Sequence, residues 1–466
     1  MSKSITFALN GVVQKTTCRP DMTVLEWLRG EALLRGTKEG CAEGDCGACS
    51  VLVKRVGDEK YISANSCIML MGQMEGGALL TVEGLAASGP DGHVVQQLMA
   101  ENGSSQCGFC TPGIVTSLAG LLDKNPNPNE SEIHDALAGN LCRCTGYRPI
   151  VEAAEAAVKA NPVELPLPQM ADAAAMVGED GCRFFLPNSL KELLELRAAK
   201  PKATLLAGGT DLSLEVAHAK ARWDETILTR NVAELRAIKE AKTHIVFGGA
   251  VTWQAALPLL QTHWPSFATL VRRFGSTQIR SMGTIAGNIG NASPIGDGAP
   301  SLLALDAVLT LASSAGEREV PLNDFFLDYR KSALKSDEII RSITVPLPTK
   351  NTHFRTYKIS KRYDQDISTV CGAFSLEVDG DIITKARIAY GGMAATSMRC
   401  KKAEALLIGK PLNSATITAA QKAILETFSP MSDMRGTAKY RATVAVNLLD
   451  RLALDLAGET IEVMAL

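Results

Sequence analysis

Three cysteines within eleven residues are the feature that most constrains this chain: residues 40–50 read GCAEGDCGACS. Cys41, Cys46 and Cys49 follow a C-x4-C-x2-C spacing, and Cys67 comes later, after a strand-like segment. Glycines in the run let the backbone take positive φ and bring its N–H groups close to a bound group. Thiols placed this way predict a loop wrapped around a metal site.

The C-x4-C-x2-C…C spacing is typical of a plant-type [2Fe–2S] cluster. A structural zinc site is the alternative, but zinc usually takes two C-x2-4-C pairs, which this spacing fits poorly. The flanking sequence favours a small β-grasp domain, with a hairpin from residues 5–11 and 12–18, a helix over 23–34 and a strand over 48–56.

A second cysteine group lies downstream, where Cys107 and Cys110 form a C-x2-C pair and Cys142 and Cys144 a C-x-C pair. Residues i and i+2 cannot face one ligand from a regular helix, so the C-x-C pair must lie on a loop. A proline and an apolar segment follow each pair, which predicts two helix starts whose positive dipole ends point at one anionic cluster. Redox thiols without metal would leave the C-x-C pair unexplained.

Length and composition limit the remaining choices. The chain has 466 residues, enough for about three domains of roughly 150 residues each. A net charge of −2 argues against nucleic acid or an anionic membrane as the main partner, and we find no secretory signal or apolar run of spanning length. Eight of the twelve cysteines lie between residues 41 and 144, which favours metal binding in a cytoplasmic protein over a disulfide framework. Cys18, Cys182, Cys371 and Cys400 are interpreted as small buried apolar residues, and the six scattered histidines indicate no histidine metal site.

The composition changes after the cysteine-rich region. Residues 161–180 are proline-rich, then small and polar, which predicts a linker. From residue 181 the pattern is α/β, with glycine-rich stretches at 204–216 and 283–297. Successive N–H groups in such turns bind anions, although a tight turn between strands is the simpler interpretation of each stretch alone. No G-x-G-x-x-G follows a strand and no G-x4-G-K-[ST] is present, so a Rossmann site is not supported and a P-loop is excluded.

Together, the segments GCAEGDCGAC, QCGFCTPG and GNLCRCTGYRPI resemble the two iron–sulfur domains of the molybdenum hydroxylases, the xanthine dehydrogenase and aldehyde oxidase family. The resemblance covers nearly the whole chain and implies a multidomain α+β protein. The implied parts are a β-grasp ferredoxin domain at 1–78, a four-helix-bundle [2Fe-2S] domain at 79–160, the linker at 161–180, an α/β FAD-binding domain at 181–348 and a C-terminal α+β flavoprotein domain at 352–464. The implied cluster ligands are Cys41, Cys46, Cys49 and Cys67 for one cluster and Cys107, Cys110, Cys142 and Cys144 for the other.

The resemblance also implies further cofactor-binding residues. It places Gln106 beside the pterin of a molybdenum cofactor. The implied FAD contacts are Leu205, Leu206, Ala207, Gly208, Gly209, Thr210, Asp211, Leu212, Phe274, Thr284, Gly287, Asn288, Asn291, Ser293, Asp297, Ile340 and Lys358. Lys358 is the predicted catalytic residue, near the edge of the isoalloxazine. The alternative for Lys358 is a solvated surface lysine paired with Asp364 or Asp366.

The implied function is electron transfer. Eukaryotic members of the family carry a molybdenum-binding region after these domains, and this sequence stops at Leu466. The molybdenum cofactor is therefore expected on a separate large subunit, in an (αβ)2 heterotetramer. The resemblance implies that electrons from the oxidation of hypoxanthine and xanthine to urate pass through two [2Fe-2S] clusters to FAD and on to NAD. The cluster of the second cysteine group is expected nearer the molybdenum, and the other nearer the flavin.

Three other functions stay open. An aldehyde or another N-heterocycle could be the substrate, because the substrate pocket is expected on the partner. A stand-alone electron carrier or diaphorase would have no molybdenum partner. An iron–sulfur redox sensor would hold FAD that no pyridine nucleotide reduces.

Overall fold

The computed structural model describes residues 4–87, 92–160, 165, 168 and 170–459. The outermost residues of the predicted first and last domains, part of the predicted helical domain at 88–91, and most of the first half of the predicted linker lie outside the described residues. None of the helices in these described ranges combines the length and the apolarity that a bilayer crossing requires.

The N-terminal part is a five-stranded sheet with one α-helix. Its elements are β1 (Ile5–Leu9), β2 (Val12–Thr16), α1 (Val24–Gly30), β3 (Ser50–Lys54), β4 (Ile62–Asn65) and β5 (Ala78–Leu80), with 3-10 turns at Ser66–Ile68 and Met71–Met74. The strand order is β2-β1-β5-β3-β4, and β1 pairs with β5 in parallel. The hairpin and the strand after the cysteine loop are therefore where the sequence predicted them.

The predicted helix over residues 23–34 was too long. Thr23 caps α1 by accepting a hydrogen bond from the Glu26 backbone N–H, and the helix ends at Gly30. Leu33 lies within that predicted helix, but it has a φ of 57° and is exposed. A residue in the left-handed region cannot continue a right-handed helix, so Leu33 lies in the following turn.

Five helices follow the sheet. They are α2 (Val82–Ala86), α3 (Val94–Glu101), α4 (Thr111–Lys124), α5 (Glu130–Leu137) and α6 (Arg148–Lys159). Pro112 and Pro149 stand in the first turns of α4 and α6, which confirms the two predicted helix starts. The helices pack around Ile114, Leu118 and Ile150, which are fully buried.

A mixed four-stranded sheet comes next. Its region contains β6 (Met176–Glu179), β7 (Cys182–Phe185), α7 (Leu190–Ala199), β8 (Thr204–Leu206), α8 (Ser213–Ala217) and β9 (Glu225–Leu228), and the strand order is β6-β7-β9-β8. The predicted linker at 161–180 was therefore too long, because β6 lies inside it. Val177 of β6 is fully buried in an apolar core. The small residues around it in the sequence gave no indication of a buried strand.

The contacts divide the chain into two compact units. The first unit runs to Glu234 and adds Thr252–Gln254 and Gly275–Gly283. The second unit holds Leu235–Val251, Ala255–Phe274 and the chain from Thr284 onward. The region predicted as one FAD-binding domain is split between them, because Phe184 and Leu206 share an apolar core with Phe7 of the N-terminal sheet and Met71 of the 3-10 turn before β5.

The rest of the middle region alternates short helices and strands. It contains α9 (Ala233–Arg236), β10 (Ile238–Glu240), β11 (His244–Gly248), α10 (Trp253–His263), α11 (Pro265–Phe274), α12 (Thr277–Met282), α13 (Ile285–Gly290), α14 (Gly298–Ala304), β12 (Val308–Ser313), β13 (Gly316–Pro321), a 3-10 turn at Leu322–Asp324, β14 (Phe326–Asp328), β15 (Lys331–Ser332) and β16 (Ile339–Pro346). A five-stranded sheet has the order β10-β11-β16-β12-β13. The glycine-rich stretch at 283–297 forms α13 and a loop rather than a tight turn between strands.

The C-terminal part is a four-stranded antiparallel sheet covered by helices. Its elements are β17 (Thr352–Ile359), β18 (Val370–Asp379), β19 (Ile382–Gly391), β20 (Met398–Arg399), α15 (Lys401–Leu407), α16 (Ser414–Thr427) and α17 (Ala438–Leu456). The sequence predicts strands at 372–378 and 385–393 and helices at 403–407, 415–428 and 439–456, and these are confirmed to within three residues at each end, whereas β17 and β20 were not predicted. Cys371 and Cys400 are buried, as are Cys18 and Cys182, in agreement with their interpretation as apolar residues. The predicted multidomain α+β class is confirmed.

Candidate electron-transfer site

The first cysteine group lies on the loop between α1 and β3, and Cys67 comes from the 3-10 turn that follows β4. Its four thiols form two pairs. The Cys49 and Cys67 sulfur atoms are buried and lie 3.3 Å apart. Cys41 and Cys46 face each other, because the backbone N–H of each donates to the sulfur of the other at 3.3 Å. This donor set fits a [2Fe–2S] cluster, in which four cysteine sulfurs serve two irons.

The loop stabilises the deprotonated form of Cys41. A hydrogen bond from the Cys46 side chain, with further ones from the backbone N–H groups of Glu43, Asp45 and Cys46, lowers the pKa of the Cys41 thiol to about 4. The same hydrogen bond raises the pKa of the Cys46 thiol, so this pair shares one proton and holds one thiolate, which is the form that binds metal. In the described part of the chain, no three Cys, His, Asp or Glu side chains are grouped as a single metal ion would need.

The second cysteine group also forms two pairs, each with one cysteine from each motif. The Cys107 and Cys144 sulfur atoms lie 3.5 Å apart, and the Cys110 and Cys142 side chains hydrogen-bond to each other. Cys110 is the N-cap residue of α4, and Cys144 comes shortly before α6. The two motifs therefore meet where two helices begin, and their thiols fit a second [2Fe–2S] cluster.

Tyr147 holds the C-x-C loop in place, a role that sequence reasoning missed. Its hydroxyl accepts a hydrogen bond from the Cys142 backbone N–H at 2.7 Å and donates to the Asn140 carbonyl oxygen at 3.3 Å. The tyrosine stands inside the segment GNLCRCTGYRPI, so the motif contained the residue. Only the folded loop shows which backbone groups its hydroxyl reaches.

The two cysteine loops contact each other directly. The Leu141 backbone N–H donates to the Cys46 carbonyl oxygen at 2.9 Å, and the Asn140 side-chain amide donates to the Gly47 carbonyl oxygen at 3.1 Å. Gly47 has a φ of 68°, and a β-carbon there would overlap the Gly139 carbonyl oxygen. Glycine is therefore required at position 47 both for its backbone angle and for the close approach of the second loop.

One side of the second cysteine group is open to solvent. Cys107 and Cys144 are exposed, and so is Gln106, the residue predicted to lie beside a pterin. Two apolar side chains nearby in sequence are also about half exposed, Phe109 at 48% and Leu141 at 47%. Single exposed apolar residues are ordinary, but these two flank the cysteines of one cluster.

The first predicted FAD stretch, Leu205 to Leu212, lies in the first unit, where β8 runs into a glycine turn. Gly209 has a φ of 80°, and a β-carbon on Gly208 would overlap the Met282 carbonyl oxygen. The Gln73 side-chain amide donates to the Gly208 carbonyl oxygen at 3.4 Å. Successive backbone N–H groups in a turn of this kind can bind phosphate.

The remaining predicted FAD residues lie in the second unit. Thr284 caps α13 by accepting from the Gly287 backbone N–H at 2.9 Å. Asn288 Oδ1 and Asp297 Oδ1 are buried and accept no hydrogen bond from any described residue. Buried acceptors without donors are costly, so these two atoms suit a polar ligand such as the flavin ribityl chain. Of the others in this set, Asn291 and Ser293 follow α13, Phe274 ends α11 and Ile340 is buried in β16.

Lys358 is buried in the second unit, with only 4% of its surface exposed. Its ammonium group donates to Asp297 Oδ2 at 2.6 Å, to the Asp366 carbonyl oxygen at 2.6 Å and to Ser368 Oγ at 2.8 Å. The alternative of a solvated lysine is therefore wrong. The sequence also missed the partner, because Asp297 and not the Asp366 carboxylate forms the ion pair.

Four family models match the chain in succession. They are the 2Fe-2S iron-sulfur cluster binding domain at residues 7–72, the [2Fe-2S] binding domain at 81–155, the FAD binding domain in molybdopterin dehydrogenase at 179–348, and the CO dehydrogenase flavoprotein C-terminal domain at 355–456. Each model contains the residues predicted here for its cofactor, apart from Lys358, which lies in the last.

One curated protein and two solved chains illustrate what this chain is similar to. Xanthine dehydrogenase of Emericella nidulans is 32% identical over 98% of this chain and 39% of its own. A solved chain of carbon monoxide dehydrogenase from Hydrogenophaga pseudoflava is 28% identical, with a TM-score of 0.55 over 57% of this chain and 94% of its own. A solved chain of quinoline 2-oxidoreductase from Pseudomonas putida 86 is 25% identical, with a TM-score of 0.55 over 60% of this chain and 98% of its own.

The chain belongs to the molybdenum hydroxylases. Its domains form the iron–sulfur and FAD electron-transfer region of this family, which confirms the predicted pair of [2Fe-2S] clusters and the FAD. It spans 39% of the length of the curated relative from Emericella nidulans and similar shares of other xanthine dehydrogenases. The predicted resemblance to the molybdenum hydroxylases is therefore confirmed at the level of the family.

Proposed function

We propose that this chain is the electron-transfer part of a xanthine dehydrogenase, in which electrons from hypoxanthine or xanthine reach NAD. The direct contact between the two cysteine loops, through the Leu141 N–H and the Cys46 carbonyl oxygen, is the observation that carries the electron-transfer role. The 30–33% identity to xanthine dehydrogenases supports the choice of substrate. NAD as acceptor and a cytoplasmic location are parts of the same proposal.

This chain's own residues hold the cofactors and fix their surroundings. Cys41, Cys46, Cys49 and Cys67 would hold one cluster, and Cys107, Cys110, Cys142 and Cys144 the other. Bound clusters carry single electrons, and bound flavin supplies the change to two-electron hydride chemistry. Within the second unit, Asn288 and Asp297 would offer acceptors to polar flavin groups.

The buried lysine defines the charge near the predicted flavin residues. Lys358 and Asp297 together form a neutral pair, and all three N–H groups of the Lys358 ammonium already donate, so Lys358 would act on a flavin through the orientation of that pair and not through a hydrogen bond. Ser368 Oγ and the Asp366 carbonyl oxygen fix that orientation. A cation held in this way near the edge of a flavin would stabilise its anionic reduced form.

We also propose that a separate chain carries the molybdenum cofactor and covers the exposed side of the second cysteine group. Exposed Gln106, Phe109 and Leu141 beside Cys107 and Cys144 support an electron entry point there. The solved carbon monoxide dehydrogenase chain is 94% covered by a match to 57% of this chain, which supports a split of the enzyme over several chains. A permanent partner typically buries more than ~2,000 Å².

The native complex tests this proposal. Purified from its source, it should contain a second, molybdenum-carrying chain and oxidise hypoxanthine and xanthine with NAD. The isolated chain, loaded with clusters and FAD, should oxidise NADH with ferricyanide and leave xanthine untouched. Quinoline or aldehyde turnover without xanthine turnover would instead support an N-heterocycle or aldehyde hydroxylase, as the similarity to quinoline 2-oxidoreductase suggests. A chain that purifies with no molybdenum partner would contradict the split assignment.

A further inference from the structure

Gln278 occupies an unexpected place. Its sequence region matches the FAD-binding model, yet α12 packs within the first unit together with both cysteine-rich domains. Only 1% of the Gln278 side chain surface is exposed. On the same helix, Arg280 forms an ion pair with Asp135 of α5 and donates to the Gly275 carbonyl oxygen. The helix that carries Gln278 is therefore anchored independently of it.

The side-chain amide of Gln278 touches three segments at once. Its Nε2 lies 3.2 Å from Ser50 Oγ, 3.0 Å from Ser117 Oγ and 3.0 Å from Asn140 Oδ1. Ser50 directly follows Cys49, and Asn140 stands two residues before Cys142. Ser117 is on α4, the helix that Cys110 caps. One buried amide nitrogen thus joins the loops that hold both predicted clusters.

The same contacts continue into the cluster loops. Ser50 Oγ donates to the Gly47 carbonyl oxygen at 2.8 Å, and the Asn140 amide reaches that oxygen at 3.1 Å. The side-chain oxygen of Gln278 makes no such hydrogen bond. Its Oε1 is buried and accepts no hydrogen bond from the described residues. A buried amide with an unmet acceptor costs free energy, and an apolar side chain would fill the space without that cost. The hydrogen bonds of Nε2 are therefore the interactions that favour glutamine at position 278.

We propose that Gln278 is a positioning residue that fixes the separation of the two cluster loops and so the rate of electron transfer between the clusters. This inference rests on the proposed electron-transfer function. Leu141 and Cys46 provide one direct contact between the loops. Gln278 adds a second connection, because its Nε2 contacts Ser50 of one loop and Asn140 of the other. Small changes in loop separation alter both tunnelling and magnetic coupling between two paramagnetic centres, because both fall steeply with distance.

The test compares Gln278→Leu with Gln421→Leu in the full, cofactor-loaded chain. Gln421 also donates two hydrogen bonds, to the Val446 carbonyl oxygen and Asp450, but it lies on α16 of the second unit. Both proteins are reduced fully and their cluster EPR spectra recorded. For Gln278→Leu we expect unchanged iron content, loss of the wild-type spin–spin splitting, and slower electron transfer between the clusters than in the wild type. Gln421→Leu should match the wild type.

A milder variant covers the case in which Gln278→Leu fails to fold. Ser117→Ala removes only one acceptor and should reduce the splitting partly. Wild-type splitting and wild-type transfer in Gln278→Leu would overturn the proposal, even if its thermal stability fell, because that result indicates packing alone. A Gln278→Leu chain without iron, combined with wild-type coupling in Ser117→Ala, would overturn it as well. A wild-type chain with fewer than two clusters would instead contradict the underlying function.

Discussion

The backbone N–H of Leu141 donates a hydrogen bond of 2.9 Å to the carbonyl oxygen of Cys46. Cys46 belongs to the first cysteine group, and Leu141 is bonded directly to Cys142 of the second. One hydrogen bond and a few covalent bonds thus connect a predicted ligand of each cluster. The Leu141 side chain is about half exposed, so the backbone and not the side chain makes this connection.

This connection can be broken without removing a ligand. Leu141→Pro deletes the N–H donor and should slow electron transfer between the clusters while destabilising the chain by about 1 kcal/mol. Leu141→Ala keeps the N–H and trims only an exposed side chain, so its transfer rate should equal the wild-type rate. Rapid reduction followed by cluster-resolved spectroscopy measures both. Equal rates in the proline and alanine variants would show that the hydrogen bond is not on the path.

Cofactor content provides the second prediction. Two [2Fe–2S] clusters require about four irons per chain, together with one FAD and no zinc. Cys46→Ser should lose about two irons and one EPR signal, because Cys46 is one of four thiols for a single cluster. Cys400→Ser is the matched control, since Cys400 is equally a free cysteine but is fully buried in the C-terminal core. Loss of both signals from Cys46→Ser, or iron loss from Cys400→Ser, would contradict the assignment of ligands.

The Lys358–Asp297 pair supports a prediction about stability and potential. Lys358→Met leaves the Asp297 carboxylate buried without its cation, which should cost about 3–5 kcal/mol in urea unfolding of the apoprotein. Adding Asp297→Leu should restore most of that loss. In the flavin-loaded chain, Lys358→Met should lower the flavin potential and slow NAD reduction. Lys361→Met, which removes a solvent-exposed lysine of the same strand end, should change stability by less than ~0.5 kcal/mol. An unchanged flavin potential in Lys358→Met would show that Lys358 does not act on the flavin.

His93 predicts a pH dependence of the helical domain. Burial lowers the pKa of the His93 imidazole below its ordinary value, and its Nδ1 accepts a hydrogen bond from the Val95 N–H at the start of α3. The unfolded chain then binds more protons than the folded one below about pH 6.5, so stability should decrease as pH falls from there and level off below the folded-state pKa. His93→Asn keeps a capping group that does not titrate. Thermal unfolding measured from pH 8 to 5 should therefore show the wild type losing stability relative to His93→Asn below about pH 6.5. A difference that is constant with pH would contradict this account.

The grouping of the cysteines on loops and the two helix starts were predictable because the signals for them are local. The spacing of Cys41, Cys46 and Cys49 restricts which loop can form, and a proline near the first turn restricts where α4 and α6 can begin. The strands and helices of the C-terminal part were equally readable from apolar periodicity. Local prediction failed for the length of α1. The helix was predicted to reach residue 34, but Leu33 takes a positive φ, which a right-handed helix cannot contain.

The sequence by itself determined the ligand types, the cofactor classes and most element positions, since these depend on neighbours within a few turns of chain. Only the tertiary structure decided which distant groups meet. Lys358 pairs with Asp297 across 61 residues, and Gln278 reaches Ser50 across 228. Likewise, the shared core of Phe7 and Phe184 places part of the flavin region with the N-terminal sheet. A buried hydrogen-bond donor needs an acceptor, and in the folded chain that acceptor can lie far away in the sequence. Which distant acceptor it meets depends on packing in three dimensions and cannot be read from spacing along the sequence.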